Sequence, residues 1–200
     1  MKPYKLSLNQ KTGFKNNLPN VPVMILDTRG IPFYDTSLLD DFVNEFNMPP
    51  GEYIVQNGNI SQMNEPVDYS HLMLPLPPPC RRKINPENFD IIVADNPYKC
   101  SVDWKNKQLI FDHSLVNESL PKLRRIYEHE MAHRYYGTKK NNIELIKYYE
   151  ACCDRYSHNK MLEDGYNPSQ IGFSMIDSLS SYNKWREDLL IDDMVIANTL

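Results

Sequence analysis

The chain has 200 residues, of which 41% are hydrophobic and 24% are charged, and its net charge is −4 at pH 7. This composition is typical of a globular protein of one domain that buries a core without disulfide bonds. The negative charge argues against nucleic acid as the main partner, and no apolar stretch is long enough for a membrane span. We therefore expect neither nucleic acid nor a membrane as a partner.

Proline content divides the chain near residue 88. Eleven of the 15 prolines lie between Pro19 and Pro86, and residues 75–79 are typical of extended polyproline. We interpret residues 1–87 as an extended, proline-rich N-terminal arm without a core of its own. Its apolar patterns predict two strands, 21–26 and 53–56, and one helix from Thr36 or Ser37 to about Phe46, with loop over residues 57–88.

The second part of the chain, residues 88–200, has clearer periodicity. A β-rich run over residues 90–94 is followed by a predicted hairpin of strands 100–104 and 108–112. The helix signals that follow include Ser119 as an N-cap, and Gly137 and Gly165 as C-terminal stops. They predict helices over residues 120–136, 142–164, 168–179 and 182–198.

The first of these predicted helices contains the motif HExxH, formed by His129, Glu130 and His133. Residues four apart lie one above the other on a helix, so both imidazoles can bind one metal ion. Glu130 is one position further along, where its carboxylate can take a proton from metal-bound water. The alternative is a hydrogen-bonded His–Glu pair on a buried helix.

The next predicted helix carries Glu150 and Asp154 on one face, with Glu150 lying 17 residues after His133. A zinc site needs a third protein ligand, and the short turn near Gly137 allows the two helices to fold back on each other. We expect Glu150 to bind the metal and Asp154 to accept the Nδ1–H of a ligating imidazole. The reverse assignment, or salt bridges to Lys147 or Arg155, are the alternatives.

HExxH, a turn and ExxxD on the following helix resemble the gluzincin branch of the zincin metallopeptidases over about residues 88–175. Residues 161–171 also resemble small HExxH proteins encoded by bacteriophages. The resemblance implies an α+β fold with a zincin-like core of a small sheet and helices. It also implies Zn²⁺ bound by His129, His133 and Glu150, with Glu130 as general base and Asp154 behind the ligands. Substrate would add to strand 108–112, and the oxyanion donor stays open among Tyr148, Tyr149, Tyr156 and His158, although we interpret His158 as a helix-surface residue.

Two functions follow from these observations. The first is a zinc metallopeptidase that acts on a peptide or protein substrate. The second is a structural ring or connector component of a phage particle, built on a zincin scaffold and using the N-terminal arm for assembly with protein partners. No secretory signal is visible, and four cysteines without a CxxC pair indicate reduced thiols. We expect the host cytoplasm or a virion as the location.

Overall fold

The computed structural model describes residues 2–38, 44–78, 89–137 and 142–178, and these form a mixed α+β fold. Its strands and α-helices are β1 (Tyr4–Leu8), β2 (Thr12–Asn16), β3 (Met24–Asp27), β4 (Pro32–Asp35), β5 (Glu45–Met48), β6 (Gly51–Asn57), β7 (Ile60–Gln62), β8 (Asp90–Ala94), β9 (Cys100–Asp103), β10 (Gln108–Asp112), α1 (Leu120–Tyr136), α2 (Ile143–Asp164) and α3 (Pro168–Ser178). None of the described helices combines the length and apolar character that crossing a membrane requires. The predicted helix 182–198 lies outside the described residues.

The N-terminal strands form two antiparallel sheets, one in the order β1-β6-β3-β4 and the other in the order β5-β2-β7. Apolar side chains from both sheets share one hydrophobic core with residues that follow in α2 and α3. Its buried members are Phe14, Val23, Ile25, Phe33, Tyr34, Phe46, Met48, Tyr53, Val55, Met161, Leu162, Tyr166 and Ile171. The expectation of an extended N-terminal arm without a core is therefore wrong, and the core crosses the boundary drawn near residue 88.

The high proline content misled that interpretation because the prolines lie where a sheet tolerates them. Pro32 begins β4, and Pro49 and Pro50 form the turn between β5 and β6. Proline at a strand end or in a turn removes no ladder hydrogen bond from the strand interior. The strands themselves are short and alternate, as in β6, where Tyr53 and Val55 are both buried.

The helix predicted from Thr36 or Ser37 to about Phe46 is wrong at both ends. Residues Thr36–Leu38 form a single 3₁₀ turn, and Phe46 lies in β5, while residues 39–43 are outside the described part of the chain. Phe46 and Met48 point into the core from one face of β5, and Phe46 pairs with Phe14 of β2. A short apolar run fits helical and strand periodicity equally well, and here the pairing with β2 decides for the strand.

The other predicted N-terminal strands have nearby counterparts. The strand predicted over 53–56 is confirmed as part of β6, and the strand predicted over 21–26 is observed as Met24–Asp27. The stretch predicted as loop contains the short strand β7. Residues 79–88, the rest of the predicted loop, lie outside the described residues.

The second part of the chain begins with a three-stranded sheet in the order β8-β10-β9. The strand 90–94 and the hairpin are confirmed, with Gln108 opposite Asp103 and Phe111 opposite Cys100. However, β10 is the central strand, because β8 pairs with its other edge in parallel. The prediction that β10 accepts an added substrate strand is therefore wrong, since both of its edges are hydrogen-bonded within the sheet.

Helices α1, α2 and α3 confirm the predicted helices within about one residue at each described end. Asn142 caps α2, because its side-chain oxygen accepts hydrogen bonds from the backbone N–H groups of Glu144 and Leu145. Gly165 ends α2 in the left-handed conformation, with φ of 102°. Helices α1 and α2 pack against each other in antiparallel orientation, which brings HExxH opposite ExxxD.

Candidate metal centre

The candidate centre lies in the middle of the α1–α2 interface. Ligand atoms of His129, Glu130 and His133 all lie within 4.8 Å of one another, which is a spacing that can hold a metal ion. The rings of His129 and His133 are perpendicular, and their centroids are 5.1 Å apart. His129 is buried, and the other two residues are half-buried. The structure therefore brings the three motif residues together at one point.

Glu150 of α2 faces both imidazoles. Its Oε2 lies 3.2 Å from Nε2 of His129, and its Oε1 lies 3.6 Å from Nε2 of His133. Two ligands of a tetrahedral zinc ion, each about 2.1 Å from it, are about 3.4 Å apart. Each of the two Glu150 distances is therefore close to the separation of two ligands of one zinc ion.

Asp154 lies one helical turn after Glu150, behind His129. Its Oδ1 is 2.9 Å from Nδ1 of His129, and the carboxylate is almost fully buried. The same oxygen lies 3.4 Å from Nη2 of Arg125, which is equally buried. An acceptor at Nδ1 keeps the proton on that nitrogen and directs the lone pair of Nε2 toward the metal position.

His133 has a corresponding partner that sequence reasoning missed. Its Nδ1 lies 3.2 Å from the carbonyl oxygen of Gly137, whose own N–H donates to the His133 carbonyl across 2.7 Å. Gly137 adopts φ of 78°, a left-handed conformation that favours glycine. The glycine that ends α1 therefore also orients a motif histidine, and the available signal was its position four residues after His133.

Cys153 is a further neighbour that the sequence did not assign to the site. Its Sγ lies 3.4 Å from Nδ1 of His133, and the side chain is fully buried. Burial raises the pKa of this thiol, and the nearby charges of Glu150, Asp154 and Glu130 raise it further. The side chain is thus a neutral thiol packed beside the ring.

Glu130 affects two buried thiols near the centre. Burial raises the pKa of the Cys100 thiol in β9, and the charge of Glu130 adds to that rise. The same carboxylate also contributes to the raised pKa of Cys153 in α2. Glu130 therefore lies close to both β9 and α2, beside the two imidazoles.

The proposed oxyanion donors occupy different surroundings. Tyr148 is 49% exposed, and the ring of Tyr156 packs on Tyr135 with centroids 5.4 Å apart. His158 is only 1% exposed, and its Nε2 lies 3.1 Å from the carbonyl oxygen of Leu72. Interpreting His158 as a helix-surface residue is therefore wrong, because the chain around Leu72 covers that face of α2.

The described part of the polyproline stretch lies along the same helices. Asn159 of α2 makes two hydrogen bonds of 2.8 Å to the backbone of Leu74, one to its N–H and one to its carbonyl. The hydroxyl of Tyr136, near the end of α1, donates to the Pro77 carbonyl across 3.3 Å. These contacts attach the segment to both helices that carry the centre.

No protein-family model, curated protein or solved structure matches the chain. The assignment of the centre therefore depends on the distances, burial and hydrogen bonds of the residues themselves.

Proposed function

We propose that this chain is a zinc-dependent metallopeptidase whose ligands are His129, His133 and Glu150. One observation carries the proposal: both nitrogens of both imidazoles face oxygen acceptors. The Nδ1 atoms face Asp154 and Gly137, while the Nε2 atoms face Glu150. A neutral imidazole has one N–H donor, so a ring that donates from Nδ1 presents its Nε2 lone pair to the Glu150 carboxylate. A zinc ion held by His129, His133 and Glu150 would supply the positive charge that these lone pairs and the carboxylate favour.

The alternative is protonation of both rings. Two imidazolium ions would then lie side by side, with centroids 5.1 Å apart, in a largely buried interface. Like charges this close destabilise each other when water is excluded. Zinc would also offset negative charge, because Glu130, Glu150 and Asp154 bring three carboxylates to an interface where Arg125 contacts Asp154. Burying such an excess without a counter-ion costs several kcal/mol, on the order of the penalty for any buried charge.

We choose Glu150 over Glu130 as the third ligand because of where each carboxylate lies relative to the two imidazoles. Glu150 comes from the opposite helix, and its two oxygens face the two Nε2 atoms. Glu130 lies beside the rings, close to β9. In this proposal its carboxylate accepts a proton from attacking water and passes it to the leaving amine.

When bound, zinc polarises a carbonyl and lowers the pKa of a water molecule toward about 7. The chain's own residues supply metal binding, ring orientation and proton transfer. The ion would be held by His129, His133 and Glu150. The ring orientations are fixed by Asp154 and Gly137, and Glu130 would accept and return the proton. These are the roles that a zincin-like core assigns to its motif residues.

Strand β9 is our proposed site for an extended peptide. It packs against α1 near Glu130, and within the described residues its outer edge has no strand paired to it. A free strand edge binds a peptide through main-chain hydrogen bonds. β9 thus takes the role that the sequence suggested for β10.

The phage-particle hypothesis keeps less support than the peptidase hypothesis. It was based on an N-terminal region without a core, and the described N-terminal sheets share a core with α2 and α3. An assembly role for this region remains the second proposal. It becomes the leading one if the centre binds no metal.

The test is elemental analysis of purified protein beside His133→Ala, followed by a protease assay on an unfolded protein substrate. About one zinc per chain in the wild type and none in the variant supports the centre. Cleavage that chelation abolishes and zinc restores supports the activity. A wild type that binds no zinc from a zinc-replete buffer would refute the proposal.

A further inference from the structure

The helix interface around the centre has a regular charge pattern. Arg125, His129 and His133 follow one another at four-residue spacing on α1, and Glu150 and Asp154 have the same spacing on α2. Because the helices are antiparallel, the two rows interleave. Asp154 lies between Arg125 and His129, and Glu150 lies between His129 and His133. Arg125 thus extends the row of metal-site residues by one helical turn.

Arg125 is among the most buried charged side chains in the described part of the molecule, with only 2% of its surface exposed. Its Nη2 lies 3.4 Å from the Asp154 oxygen that also lies 2.9 Å from Nδ1 of His129. A buried guanidinium is costly unless a carboxylate compensates its charge. Asp154 Oδ1 therefore faces both the Arg125 guanidinium and Nδ1 of His129.

We infer that Arg125 is a positioning residue for the metal centre, acting through Asp154 on His129. The guanidinium holds Asp154 Oδ1 in place against His129 Nδ1, and this contact directs His129 Nε2 toward Glu150. The inference rests on the proposed function, because the ring orientation matters for binding an ion. It adds to that function a residue that lies outside HExxH and ExxxD and contacts Asp154, the neighbour of a proposed ligand.

A purely structural salt bridge is the competing explanation, and the neighbouring residue provides a control for it. Arg124 pairs with Glu128 at 2.7 Å and with Asp164 at 2.6 Å, so it also links α1 to the end of α2. Neither of these carboxylates is among the proposed ligands or their partners. Removing Arg124 therefore tests loss of an interhelical ion pair without disturbing the row at the centre.

The experiment measures zinc affinity, by competition with a chromophoric chelator, in full-length wild type and variants. We expect Arg125→Met to weaken zinc binding about tenfold, at the low end for a residue behind a ligand. Arg125→Lys should recover part of that loss, because an ammonium can still contact Asp154. Arg124→Met should bind zinc within about twofold of the wild type, whatever its stability.

A double-mutant cycle separates positioning from folding. Asp154→Asn removes the charge through which Arg125 acts, so adding Arg125→Met to it should weaken zinc no further. The double variant also avoids a buried guanidinium without this carboxylate, so it remains measurable if Asp154→Asn alone fails to fold. The absorption of bound Co²⁺ gives a second readout, which Arg125→Met should change and Arg124→Met should not.

Zinc affinity of Arg125→Met within twofold of the wild type would overturn the inference. So would a double variant whose loss equals the product of the two single losses. A wild type that binds no zinc would instead refute the proposed function, so the two failures are distinguishable. The expected pattern, with partial rescue by lysine, supports positioning through Asp154.

Discussion

Glu150 Oε2 lies 3.2 Å from His129 Nε2, across the interface between the two longest described helices. On its other side, the His129 ring meets Asp154 at 2.9 Å. One imidazole therefore lies between two carboxylates that come from a single face of α2. A cation at the Nε2 side would make this arrangement favourable, and the two carboxylates would then have different roles.

We predict that Glu150→Gln weakens zinc binding more than Asp154→Asn. Glu150 faces both Nε2 atoms, so its substitution removes a charged ligand from the site. Asp154 acts only through Nδ1 of His129. The cost at Asp154 should be about 10–100-fold in affinity. Chelator competition on both purified variants gives the ranking, with Glu144→Gln on the exposed start of α2 as a matched control. The opposite ranking would exchange their roles.

Glu130→Gln should retain zinc and lose turnover. The amide keeps the size of the side chain but cannot accept the proton, and removal of a general base typically lowers rate by about 10²–10⁴-fold. Zinc content and cleavage of an unfolded protein substrate are measured on the same sample. A variant that cleaves at the wild-type rate would show that Glu130 is not the base, and one without zinc would place it among the ligands.

Removing the metal should destabilise the fold. An ion that binds only the native helix interface would contribute about 2.7 kcal/mol at 100 times its dissociation constant. We expect a chelator to lower the wild-type melting temperature measured by circular dichroism. His133→Ala should melt at one temperature with or without chelator. Equal melting of chelated and zinc-loaded wild type would contradict binding at this interface.

The shared core predicts that N-terminal residues stabilise the domain that carries the centre. Phe46→Ala removes a fully buried ring from that core and should cost about 3–5 kcal/mol of unfolding free energy. Phe173→Ala is the control, because Phe173 is 46% exposed and such surface changes typically cost about 0.5 kcal/mol or less. Denaturant unfolding of both variants tests this. A cost at Phe46 as small as at Phe173 would contradict the burial of Phe46 in this core.

Local sequence determined the elements of the second part of the chain. Asn142, Gly137 and Gly165 mark helix ends through their own side chains or backbone freedom, and the hairpin of β9 and β10 needs only neighbouring residues. The i, i+4 spacing of His129 and His133 likewise fixed their common face before any tertiary contact was known. Glu150 and Asp154 could be named as partners because a short connection makes antiparallel packing the expected outcome.

Only the tertiary structure decided which segments meet over long distances. The strand identity of Phe46 depends on pairing with Phe14, and the N-terminal core depends on Met161 and Ile171 far along the chain. The central position of β10 depends on β8, and the contact of Arg125 with Asp154 depends on how α1 and α2 align. Periodicity shows which face of an element is apolar, but it does not show what covers that face. The choice of partner depends on packing of the whole chain, so it was available only from the folded structure.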